Sequence, residues 1–140
     1  MSEPPAPPTV PANQDAEHLR LLTVFHYVVG GLTALFACFP FIHLGIGVFM
    51  LLKPEAFKPR PPPEFLAWIF VVFAAGMILA GWTLALLFVL AGRNLSRRRR
   101  YLFCQVVAGV GCIFMPFGTV LGVFTLLVLA RPSVRELFQK

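Results

Sequence analysis

The sequence predicts an all-α, polytopic integral membrane protein with about four membrane segments, and three observations carry that reading. Of its 140 residues, 58% are hydrophobic and 13% charged, with a mean hydropathy of +0.79, a balance foreign to soluble domains. The apolar residues fall into three blocks without a single charge, 21–52, 65–92 and 101–130. Each exceeds the roughly 20 residues a helix needs to cross about 30 Å of hydrocarbon. The basic residues behind the net charge of +6 stand at the ends of these blocks. That is the pattern of membrane orientation rather than of a basic nucleic-acid face.

Residues 1–14 hold Pro4, Pro5, Pro7, Pro8 and Pro11, which predicts a solvated, disordered arm ahead of a single helical transmembrane domain over 15–132. Asp15 and Glu17 suit a helix start, as N-cap and first-turn acid. The tail before the apolar run is acidic and the run continues to Leu52, so no cleaved leader and no lipidation at Cys38 are expected.

Block 21–52 would measure about 48 Å as one helix, and Pro40 interrupts it. Proline removes the bond to the Phe36 carbonyl, so the helix either kinks there or turns. The connector 53–63 is basic and proline-rich and cannot be helical throughout. Pro63 and Glu64 suit the first turn of a second helix, and Gly92 with Asn94 its end. Within that block, Gly76 with Ala80 and Gly81 with Ala85 are small residues at i, i+4, spaced to admit a neighbouring helix. Trp68 fits an interfacial belt, while Trp82 is expected to pack deeper.

Arg93, Arg97, Arg98, Arg99 and Arg100 lie within eight residues. Beside a span, such a cluster reads as cytoplasmic and in contact with anionic lipid headgroups. Block 101–130 carries Pro116 at its middle. If it turns there, the N-tail, the arginine loop and the C-tail share nine Lys and Arg residues against three in the connector. Single spans throughout split them evenly, and a turn only at Pro40 gives seven against five. The count favours four segments with both termini cytoplasmic. The two halves of the third block are short for full spans, and three tilted helices are the alternative. After Arg131-Pro132, Ser133 and Glu136 match a capping box for a short amphipathic tail over 133–140, with Val134, Leu137 and Phe138 toward the membrane surface. Residues 28–32, 39–41 and 47–52 echo loosely in 106–110, 115–117 and 122–127, a similarity that duplication leaves and that apolar composition alone also produces.

Chemistry is sparse. Inside the blocks only His26 and His43 ionise near neutrality, seventeen residues apart without an acid or lysine beside them, so no cofactor or metal site is expected within one chain. The blocks contain no serine, and Cys38, Cys104 and Cys112 have no visible activating base; no catalytic residue is assigned. Gly118 and Gly122 form a GxxxG element that continues through Thr125, with Phe117, Leu121, Phe124 and Val128 on the adjoining face. It serves either self-association and docking onto a larger membrane complex or packing within the chain. The functional expectation is a non-enzymatic accessory, assembly or scaffold subunit. The alternative is a small oligomeric channel or transporter lined by Gln105, Thr119, Thr125 or the histidines.

Residues 18–40, HLRLLTVFHYVVGGLTALFACFP, and 98–138, with the core CQVVAGVGCIFMPFGTVLGVFTLLVLARPSV, resemble a family of small bacterial multi-span membrane proteins without an assigned function. The resemblance covers most of the chain beyond residue 17. It implies a bacterial inner (cytoplasmic) membrane and brings no catalytic residues.

Overall fold

In the computed structural model, which describes residues 12–113 and 117–138, every element is helical: α1 Ala12–Phe36, α2 Pro40–Leu52, a 3-10 turn Pro54–Phe57, α3 Glu64–Ser96, α4 Tyr101–Gly111, α5 Phe117–Leu129 and α6 Pro132–Leu137. The runs Gln14–Leu52 and Glu64–Ser96 are long and apolar enough to cross a membrane. The chain divides into two compact units, one of residues 1–29 with 88–140, the other of residues 30–87.

In the second unit, Pro40 bends the helix without reversing it. Proline offers no N–H to Phe36, and the Phe39 N–H takes that carbonyl instead at 3.0 Å, so the joint 37–39 tightens into 3-10 turns. Phe39 keeps right-handed helical angles, φ −59° and ψ −44°. The neighbours of α3 confirm the continuity. A Cβ on Gly81 would lie 2.6 Å from that of Ala37, and one on Gly47 would lie 3.0 Å from that of Phe70. Ten residues forward along α1 and α2 correspond to eleven backward along α3, an antiparallel register that passes Pro40 unbroken.

The first unit closes on an antiparallel hairpin of α4 and α5. The Thr119 hydroxyl donates to the Cys112 carbonyl at 2.8 Å, Gly122 faces Ala108, and the Tyr101 hydroxyl donates to the Leu129 carbonyl at 2.7 Å. Paired positions sum to a nearly constant value, so the chain reverses between Gly111 and Phe117. Pro116 itself lies outside the described residues. The loose echo between the two proline-containing blocks therefore has no structural counterpart, because one block runs on and the other folds back. Tyr101 bolts the open end of the hairpin. Tyr101→Phe leaves the Leu129 carbonyl without that donor and is expected to cost about 1 kcal/mol, measured by SDS-titration circular dichroism in micelles.

Five local expectations are corrected. α1 starts at Ala12, inside the segment assigned to the arm; residues 1–11 lie outside the described ones. Asp15 is thus a first-turn acid rather than an N-cap. The α6 N-cap is Arg131, with Pro132 in the first turn, so Ser133 sits inside the helix and cannot form the capping box. Proline, with φ preset and no N–H to satisfy, starts the helix one residue before that serine. The α6 face does not lie open either: Val134 is wholly buried with Leu19, Leu22, Leu95 and Leu129, and Phe138 meets Tyr101 edge-on at 5.6 Å. Trp82, expected to be packed, is half exposed, as is Trp68.

Candidate functional site

Gly92 does not end α3. It is buried, and a Cβ there would lie 3.1 Å from His26 Cβ and 3.3 Å from the Thr23 carbonyl oxygen, so its role is close approach to α1. The helix runs on to Ser96 and ends in a Schellman arrangement: Arg98 N–H donates to Leu95 O at 3.1 Å and Arg99 N–H to Asn94 O at 2.9 Å. The position that needs a left-handed backbone, where glycine is usual, is occupied by Arg98 with φ 51°. Arg100 is also left-handed, at φ 53°, as the N-cap of α4. Each costs an L side chain about 1–2 kcal/mol. Arg93 and Arg97 complete the cluster, all five arginines being exposed.

This end of the first unit also holds an ion pair. Asp15 on α1 is 1% exposed and pairs with Arg131 at 3.5 Å. That contact, with the Tyr101–Leu129 bond, sets the start of α1, the arginine loop and the chain after α5 together.

The glycine face of α5 is used inside the chain. Gly118 and Gly122 are buried, and a Cβ on Gly122 would strike the Ala108 carbonyl oxygen and come within 3.1 Å of the Cys112 nitrogen. Thr125 is fully buried and donates to its own helix at Leu121 O, 2.7 Å. The adjoining face, Leu121, Phe124 and Val128, borders an apolar cavity of about 430 Å³ shared with α1. The side chain of Phe117 lies outside the described ones. Among the α3 pairs, Gly81 meets Ala37 and Ala85 is buried. Gly76 and Ala80 are exposed, with nothing within 4 Å of a Cβ placed on Gly76.

No family model, curated protein or solved structure matches this chain.

His26 is fully buried. Its Nδ1–H donates to Leu22 O at 2.8 Å, which leaves Nε2 as an acceptor without a partner. The Phe88 ring stands edge-on to it, centroids 6.1 Å apart. His43 is exposed and stacks on Phe70 at 6.2 Å. The two histidines belong to different units, and among the described residues no three His, Cys, Asp or Glu side chains gather as a metal set. Cys104 is buried with its Sγ directed to Ala91 O at 3.8 Å, while Cys38 is exposed and directed to Ala34 O at 3.4 Å. The Thr119 and Thr125 hydroxyls, candidates for lining a pore, are committed to carbonyls. Sequence reasoning named the arginines and the α5 glycines, of which Gly122 lies against α4. It missed the Arg131 partner of Asp15 and the left-handed Arg98, since the first joins residues 116 apart and the second departs from glycine preference.

Proposed function

We infer that the protein is a non-enzymatic integral component of a bacterial inner membrane, an accessory, assembly or scaffold subunit that holds a neighbour through a small-residue face. The observation that carries this reading is the surface of the two long helical runs. Leu35, Val72, Phe73 and Leu79 are 64–70% exposed, on a scale that water tolerates only at interaction surfaces and that hydrocarbon solvates at no cost. The bacterial assignment rests on the resemblance in residues 18–40 and 98–138.

In this reading the arginine end is cytoplasmic, since the N-tail, the arginine loop and the C-tail carry nine of the twelve Lys and Arg residues of the sequence and are taken to share one side, and the arginines lie against anionic headgroups. α1 with α2 crosses once and α3 returns. α4 and α5, at 11 and 13 residues, reach about 17 and 20 Å, short of about 30 Å of hydrocarbon. They form a re-entrant hairpin that brings the C-tail back to the same side. With the α5 glycines occupied by α4, Gly76 and Ala80 are a small-residue pair on α3 that stays open to another helix, and the occupant of that face is a second copy or a larger membrane complex.

A photo-reactive residue at Ala80 in the full chain is expected to give a cross-linked adduct in membranes, and the same residue at buried Ala85 much less. Extraction from membranes by alkaline carbonate would remove the membrane reading. A monomer in mild detergent with no adduct at Ala80 would remove the subunit reading and leave the first intact.

A further inference from the structure

Between α1 and the end of α3, within the first unit, lies a polar cavity of about 270 Å³. Arg20 enters its lining from α1, and Ser96 and Arg98 from the α3 terminus; among the described residues no carboxylate lines it. Among the described residues neither guanidinium has an ion-pair partner, because the one acid engaged at this end, Asp15, is taken by Arg131. A helix C-terminus ordinarily repels anions through its free carbonyls. Here the carbonyls of Arg93, Asn94 and Leu95 accept the N–H groups of Arg97, Arg99 and Arg98, so the backbone opposition is blunted while the guanidiniums stay available.

Arg98 adds a second, independent argument. Its left-handed backbone, φ 51°, is the conformation in which glycine is the unstrained choice. Arg100 shares that backbone, but of the two left-handed arginines Arg98 is the one that lines the cavity, and strain held at a residue is a reason to look for what it does. Arg97 and Arg99 do not line it. Two arginines, one on α1 and one just past the end of α3, lining the cavity with a serine and without a carboxylate among the described lining residues, supply the donor chemistry that suits the oxygens of one tetrahedral dianion or diester.

We propose that this cavity is a phosphate-binding site, in which Arg20 and Arg98 form charge-assisted hydrogen bonds to the phosphate oxygens and Ser96 donates a third. The ligand class is a phosphate group, free or on an anionic phospholipid headgroup. Only the lipid source rests on the membrane reading, since binding of free phosphate in detergent does not require it.

The test uses the purified full chain in an uncharged detergent, titrated with inorganic phosphate and, separately, with mixed micelles containing phosphatidylglycerol or phosphatidylcholine. Arg20→Gln and Arg98→Gln are each expected to weaken binding about tenfold or more, and Arg99→Gln less than about twofold. Arg98→Gly separates binding from folding: it is expected to raise the thermal midpoint, by relieving the left-handed residue, and to lose binding as Arg98→Gln does. Preference for phosphatidylglycerol over phosphatidylcholine identifies a lipid ligand; tight inorganic phosphate without that preference identifies a soluble one, and both support the site. Absence of binding by the unaltered chain, Arg98→Gly binding undiminished, or Arg99→Gln losing as much as Arg98→Gln would each overturn it.

Discussion

Gly122→Leu is expected to open the α4–α5 hairpin, lowering stability in micelles by about 3 kcal/mol or more. In a helix, replacing glycine by alanine ordinarily gains about 0.5–1 kcal/mol, so steric conflict must outweigh a favourable propensity. It does so here because of what the added carbon meets. The Ala108 carbonyl oxygen and the Cys112 nitrogen belong to the backbone of α4, which cannot rotate aside as a side-chain end can. Even Gly122→Ala therefore forces the two helices apart and withdraws the Thr119 and Tyr101 hydroxyls from their carbonyls. Gly109 supplies the comparison, for it is exposed on α4 with nothing within 4 Å of an added Cβ. Gly109→Ala should be neutral or stabilising by up to about 1 kcal/mol. SDS-titration circular dichroism of the three variants decides the matter, and equal stability of Gly122→Leu and the unaltered chain would refute the packing role.

The helical class, the uninterrupted α3 and the location of the joint at Pro40 were legible because they depend on local chemistry: apolar runs, an absent proline, a missing N–H. Whether a proline bends or reverses the chain was not legible. At Pro40 the answer depends on Gly81 and Gly47 seating Ala37, Phe70 and Val71 across a helix pair, contacts remote in sequence. The Lys and Arg count did favour reversal in the third block, since charge asymmetry reports on both ends of every segment at once. Small-residue pairs were legible as close-approach positions, but not their occupants: Gly122 is filled from within the chain, whereas Gly76 is open. Arg98 escaped for a physical reason, because capping rules predict glycine at a left-handed terminus and an arginine there gives no local signal. Gly92 misled in the opposite sense, its value lying in the absence of a Cβ beside His26.

Phe88→Ala is expected to destabilise the first unit by about 3–5 kcal/mol, whereas Phe73→Ala should change stability by no more than about 0.5 kcal/mol. Both are phenylalanines of α3, but Phe88 is 1% exposed and Phe73 64%. In detergent or lipid the Phe73 ring meets apolar surroundings in both the folded and the dissociated states, so transfer from water contributes little at either site. What Phe88 loses is dispersion contact in a filled space. Its ring stands against His26 and would lie 3.1 Å from a Cβ on Gly111, joining α1, α3 and α4. Truncation leaves a void beside the ring of His26, a residue whose Nε2 is a buried acceptor without a donor, and a polar group near the void favours entry of a water where a wholly apolar void would stay dry. Phe88→Leu, which keeps most of the volume, should therefore cost less than half as much as Phe88→Ala. Equal losses for Phe88→Ala and Phe73→Ala would show that burial in this fold does not govern stability and would refute the packing role of Phe88.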